Sequence, residues 1–149
     1  IELLQTIHKN TIVFAHHTEY LRYVYDRLKV EFPNRNIYLI TGSTSVKNRD
    51  KIKESLLNDE DGILVASYGC LSTGITLKNL DYGIMFQSFK SQIINKQSLG
   101  RGLGLSDDKK CFYLYDFIDC FPTKKLYMQG IAKVKLYKEE KYKINIIDM

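Results

Sequence analysis

Short apolar runs alternate with helix-period segments along this chain, and that alternation narrows its fold more than any other feature. Thr11-Ile12-Val13-Phe14-Ala15 is the first β-type run. Leu21, Val24, Tyr25 and Leu28 then recur at helical spacing, and Pro33 and Asn34 close the unit. Thr18 reads as the N-cap of that helix, because its hydroxyl can accept from an otherwise unpaired backbone N–H. Ile37 to Ile40 is a second strand, broken by Thr41-Gly42-Ser43, and the next helix places Val46, Ile52 and Leu56 on its buried side. Ile63 to Ala66 follows the turn Asp59-Glu60-Asp61-Gly62 as a third strand and opens into the polar loop Ser67 to Gly74. Tyr82 to Phe86 and Cys111 to Tyr115 are the fourth and fifth strands, with a helix predicted from Ser91 to Leu99 between them.

Strands alternating with helices predict an α/β fold, a mainly parallel sheet covered by helices on both faces. Ligands of such sheets bind at the carboxyl ends of the strands, so the loops that follow them are where function is sought. After Pro122 the pattern changes. Tyr127, Ile131, Val134 and Tyr137 trace a helix stripe, with Lys124, Lys125, Lys133, Lys135 and Lys138 mostly on other faces. Tyr142, Ile144 and Ile146 alternate with polar neighbours as in a half-buried strand. Residues 122–149 are therefore read as a C-terminal helix and strand of one domain spanning 1–149.

With 149 residues, 44% of them apolar, the chain can bury one real core. No apolar run reaches the ~18 residues a membrane helix needs, and the start lacks a signal-peptide pattern. Twenty-two Lys and Arg against 17 Asp and Glu give a net charge of +5, which permits a phosphate-rich partner without demanding one. Cys70, Cys111 and Cys120 have no CxxC spacing. They read as small buried hydrophobes in a reducing compartment, the cytoplasm. The first residue is not Met and the first ten read as the end of something, so a piece of a longer protein is expected.

No GxxxxGK[ST] loop and no acidic Walker-B strand end is present, so the usual cradle for a triphosphate and magnesium is missing. Gln97 and Arg101 are four apart and share a helix face ahead of Gly102-Leu103-Gly104. An amide and a guanidinium aimed together suit a phosphate or a base edge, and a glycine-rich helix stop with a solvated Arg is the plain alternative. Ser67-Tyr68-Gly69 and Ser72-Thr73-Gly74-Ile75-Thr76 put hydroxyls and glycines at a strand end, where backbone N–H groups can grip phosphate or merely form a polar loop. His16 and His17 have no third ligand at suitable spacing, so no metal site is expected.

Taken in order, these segments resemble the second RecA-like lobe of superfamily 2 helicases over roughly residues 11 to 119. Ile12 to Leu28 is similar to motif IV, Thr41-Gly42-Ser43 with Arg49 to the motif after it, Ser67 to Leu77 to motif V, and Gln97 to Gly104 to motif VI. The resemblance implies a three-layer RecA-like domain, and ATP and Mg2+ held mainly by a first lobe that this sequence lacks. Gln97 and Arg101 would be its catalytic contribution, with Gly74 and Thr76 beside the nucleotide. His16, His17, Thr18, Gly42, Ser43, Arg49, Ser67, Tyr68 and Gly69 would hold a nucleic-acid backbone. It further implies a monomeric ATP-dependent DNA helicase or translocase of phage-type recombination, repair or fork remodelling, acting on single-stranded or branched DNA, with this lobe inactive alone. One departure stands out: where the family pattern Gln-x-x-Gly-Arg-x-x-Arg ends in a second arginine, this chain has Gly104. A non-catalytic module that binds nucleic acid or protein, derived from such a lobe, is the alternative.

Overall fold

The five strands foreseen ahead of Pro122 are formed, and they lie in one sheet. The computed structural model describes residues 1–15, 17–67, 69–70, 79–86, 111–118 and 124–147. The strands are β1 (Thr11–Ala15), β2 (Ile37–Ile40), β3 (Ile63–Ser67), β4 (Tyr82–Met85) and β5 (Tyr113–Asp116). The described helices are α1 (Glu2–Thr6), α2 (Thr18–Glu31), α3 (Val46–Leu57) and α4 (Lys124–Glu139). The sheet order is β2-β3-β1-β4-β5, and every pairing is parallel. The predicted helix over Ser91–Leu99 lies outside the described residues.

The strands' two-residue period sorts the core into two layers. Val13, Ala15, Ile63, Val65 and Ile84 face α1 and α2, meeting Leu4, Leu21, Val24 and Leu28. Ile12, Phe14, Ile40, Leu64, Ala66 and Met85 face the other way, onto Leu56 of α3 and onto Cys70 and Leu80. All five residues of β1 are buried, as a central parallel strand covered on both faces requires. Burying a side chain the size of Phe14 or Leu64 stabilises the fold by ~1.5–3 kcal/mol. α4 lies on the α3 side, where the Tyr137 hydroxyl reaches the Met85 sulfur at 4.0 Å.

The amino-terminal edge of the sheet is closed by two side chains. Buried Asn10 accepts from the Gly62 N–H at 2.7 Å and donates to the Asp59 carbonyl at 2.6 Å. Arg35 donates to the carbonyls of Leu4 at 3.0 Å, Ile7 at 3.1 Å and Asp61 at 3.0 Å, and pairs with the Asp61 carboxylate. Burial lowers the Arg35 pKa, partly offset by Asp61. On β2, Tyr38 donates to Asp59 Oδ2 at 2.6 Å, and burial together with that carboxylate pushes its phenol up from 10.0 to about 12. Because the folded state favours the neutral phenol, its stabilisation is complete below pH 10 and fades as pH climbs towards 12. Tyr38→Phe is expected to lose this component of the alkaline slope. Urea unfolding at steps across that interval checks it, and an unchanged slope would contradict the assignment.

Several local expectations need correction. The N-cap of α2 is His17, and Thr18 is the first helical residue: His17 has extended backbone angles while its carbonyl already accepts from Leu21 N at 3.0 Å. Val46 is exposed, because Ser45 caps α3 and leaves Val46 on its first, outward turn. Cys70 is buried but Cys111, just ahead of edge strand β5, is exposed. On α4 the inward positions include Gly130 and Lys133, whereas Tyr127 and Ile131 of the expected stripe are exposed. Lys133 is turned inward by Asp116, which it meets in an ion pair. The C-terminal strand is absent from residues 142–147. Lys141 takes a positive φ of 60°, and the Lys141 and Tyr142 N–H groups return to the carbonyls of Lys138 and Tyr137 at 3.0 Å each. That closing turn spends Tyr142 on the helix end, so the alternation beyond it finds no ladder to join.

Candidate nucleic-acid interface

The register brings three loop starts to one edge. Ala15 pairs with Ser67 and Ile40 with Ala66, so the carboxyl ends of β2, β3 and β1 finish level. At ~4.8 Å per strand spacing, the three ends span about 10 Å. His17 and Thr18 follow the β1 end, both exposed, at the N-terminus of α2. Its first N–H groups have no carbonyl within the helix and carry the positive end of its dipole.

Gly42 and Ser43 are exposed in the turn after β2. Side chains build that turn from within: Thr41 N–H donates to Thr44 Oγ1 at 2.9 Å, and the Thr41 and Ser43 hydroxyls lie 2.9 Å apart. Arg49, in the first turns of α3, reaches back over it. Its Nε donates to the Thr44 carbonyl at 2.9 Å, and its Nη2 to the carbonyls of Thr41 and Gly42 at 3.2 Å each. These bonds give the Arg49 guanidinium a structural role: it pins the turn that presents Gly42 and Ser43. A methyl added at Gly42 or at Gly69 would meet nothing within 4 Å, so both backbones face open space.

Ser67 closes β3, and its hydroxyl lies 3.0 Å from the Cys70 sulfur, which in turn approaches the Ile40 carbonyl at 3.8 Å. The β3 and β2 ends are thus tied together beneath the rim. Of the residues singled out from sequence, His17, Thr18, Gly42, Ser43, Arg49, Ser67 and Gly69 fall on this edge or directly support it. His16, Tyr68, Gly74, Thr76, Gln97 and Arg101 lie outside the described residues. Among the described residues no group of three or more His, Cys, Asp or Glu could hold a metal ion. No described helix is long and apolar enough to cross a membrane.

Sequence reasoning missed a buried polar cluster further along the same edge. Asp116, the last residue of β5, pairs through Oδ1 with Lys133 and accepts the Tyr137 hydroxyl on Oδ2 at 2.8 Å. The signal available was the spacing of Gly130, Lys133 and Tyr137, which is as helical as that of the apolar residues.

A family model for the helicase conserved C-terminal domain matches residues 1–103. This chain belongs to that helicase family. It is 30% identical over 148 residues to the ATP-dependent DNA helicase UvsW of Enterobacteria phage T4, an alignment covering 90% of this chain and 29% of that protein. The helicase lobe thus spans under a third of the length of this relative. The crystal structure of T4 UvsW superposes with a TM-score of 0.70 at 27% identity, covering 94% of this chain and 31% of that one. The C-terminal part of the Fun30 ATPase domain gives a TM-score of 0.72 at 20% identity, covering 86% of this chain and 42% of that one. Domain 2 of the DEAD-box helicase Mss116p, solved bound to an RNA duplex, gives 0.58 at 19%, covering 74% and 42%. The RecA-like lobe expected from the motifs is therefore the fold of this chain.

Proposed function

We propose that this helicase lobe is the second motor lobe of an ATP-dependent DNA helicase or translocase serving phage-type recombination, repair or fork remodelling. The observation that carries the reading is the relationship to UvsW along nearly the whole chain, which includes the Gln97-to-Arg101 segment. Support for a nucleic-acid strand along the rim comes from the level strand ends and from the open backbone at Gly42 and Gly69. A domain of similar fold, domain 2 of Mss116p, is known bound to an RNA duplex. Held by backbone N–H groups and small hydroxyls at His16, His17, Thr18, Gly42, Ser43, Ser67, Tyr68 and Gly69, a strand would be gripped by its phosphates, blind to sequence and sensitive to salt. Arg49 would act by fixing the turn.

ATP, when bound, supplies the phosphoryl group whose hydrolysis drives stepping. Gly74 and Thr76 would line the nucleotide, Gln97 would orient it, and Arg101 would place a permanent charge with a fork of donors beside it. The described edge offers hydroxyls and amides but no free cluster of carboxylates, since Asp116 is committed to Lys133 and Tyr137. Magnesium therefore fits a first lobe better than this one. The protein would work as a monomer in the host cytoplasm, and this lobe alone would not hydrolyse ATP. Gly104 favours a second reading, a binding module that has lost its motor chemistry. ATPase assay of the two-lobe protein with and without single-stranded and branched DNA separates them. DNA-stimulated turnover is expected, and DNA binding without any turnover would leave only the module.

A further inference from the structure

Two tyrosines on α2 stand beside the rim without a part in the core. Tyr20 is 38% exposed and Tyr23 is 66% exposed, and their rings stack with centroids 6.4 Å apart and planes 27° from parallel. Tyr25, by contrast, is packed against the α2-side core and covered by Lys29, whose Nζ sits 5.4 Å from its ring centre. Tyr20 lies three residues past the N-cap His17, so at 1.5 Å per residue it sits about 4.5 Å along the helix from the rim, and Tyr23 about 9 Å. The 6.4 Å between the two rings is close to twice the ~3.4 Å rise per nucleotide of a stacked strand.

We propose that Tyr20 and Tyr23 form a stacking platform for the unpaired bases of a single strand whose backbone follows the rim. The inference rests on the nucleic-acid reading above for the path of that backbone, and adds that the strand must be single. Two observations select this occupant. The platform is continuous with the exposed N-terminus of α2, where phosphate would be held. The helix also carries three basic residues (Arg22, Arg27, Lys29) against three acidic ones (Glu19, Asp26, Glu31), with Arg27 already paired to Glu31 at 2.7 Å. The helix thus adds no net charge of its own, so its share of the binding is stacking on the π-face of a base, which needs none, while the charge of the strand is met at the rim. In a duplex the base faces are already occupied by neighbouring bases, so the platform has nothing to take.

The test measures binding of the 149-residue chain to a fluorescein-labelled oligothymidine and to an abasic backbone of equal length, at several salt concentrations. Oligothymidine is expected to bind about five- to thirty-fold tighter than the abasic strand at every salt concentration. Tyr20→Ala and Tyr23→Ala should each remove much of that ratio, and Tyr20→Phe and Tyr23→Phe should keep it. The salt slope, set by phosphate contacts, should be the same for all four variants. Equal affinity for the two strands, alanine variants that bind oligothymidine like the parent, or no binding of either strand overturns the platform. A preserved preference for bases with no salt dependence would instead overturn the phosphate-holding rim and leave the platform standing.

Discussion

Arg101→Ala, in a protein that joins this lobe to a nucleotide-holding first lobe, is expected to reduce DNA-stimulated ATP hydrolysis by ~10³–10⁵-fold. The size follows from what a guanidinium does when it faces a phosphoryl group in transfer. Charge collects on the equatorial oxygens as the transition state forms, and a fixed, always-protonated fork of donors neutralises it without reorganising. An interaction realised mainly in the transition state alters kcat far more than KM, so the KM for ATP should move little. Arg101→Lys keeps the charge but loses the planar fork, and should recover only part of the rate. Gly104 makes the experiment sharper, because the partner arginine of the family pattern is already gone. Gly104→Arg is expected to raise turnover, and an unchanged or lower rate would remove that role from position 104. Turnover of Arg101→Ala within tenfold of the parent would remove the role of Arg101 itself.

Lys133→Ala is expected to be the most destabilising single change in the C-terminal helix, by ~3–5 kcal/mol. The side chains of Lys133 and Asp116 are 3% and 10% exposed, so solvent has little access to either when its partner is lost. Removing the ammonium strands a carboxylate whose remaining partner among the described residues is the Tyr137 hydroxyl at 2.8 Å. Replacing both members, Asp116→Leu with Lys133→Met, should restore most of the loss, since a buried pair returns little beyond the desolvation it costs. Chemical unfolding of the three proteins decides it. A loss under ~1 kcal/mol for Lys133→Ala would mean that the ammonium reaches water.

Those two residues also show where the sequence could and could not be read. The strands of the core were legible because burial on both faces demands continuous apolar runs such as Ile12-Val13-Phe14-Ala15, and nothing else in the chain looks like them. The buried stripe of α2, Leu21, Val24 and Leu28, was legible for the same kind of reason. Lys133 was not, because its inward turn depends on Asp116, seventeen residues away, and a charge is read by default as solvated. Arg49 was seen as a contact residue from motif position, yet its bonds to three carbonyls of its own turn are a tertiary fact that spacing does not encode. The C-terminal alternation failed because period two states only what a strand would look like, not whether a neighbour exists for it. The rim itself was half legible: the loops were named, but their level ends come from a register that one sequence cannot supply.

Asn10 and Arg35 carry a practical implication for anyone altering this lobe. Between them they knot the segments around residues 4–10, 35 and 59–62 through bonds to main-chain carbonyls and amides. Extra sequence spliced in there, or new termini opened there, would have to break several of these bonds at once. The lower face of the lobe is thus a poor place for dyes, tags or permuted ends, and exposed positions on the outer side of α3 such as Lys47 and Lys51 are better ones.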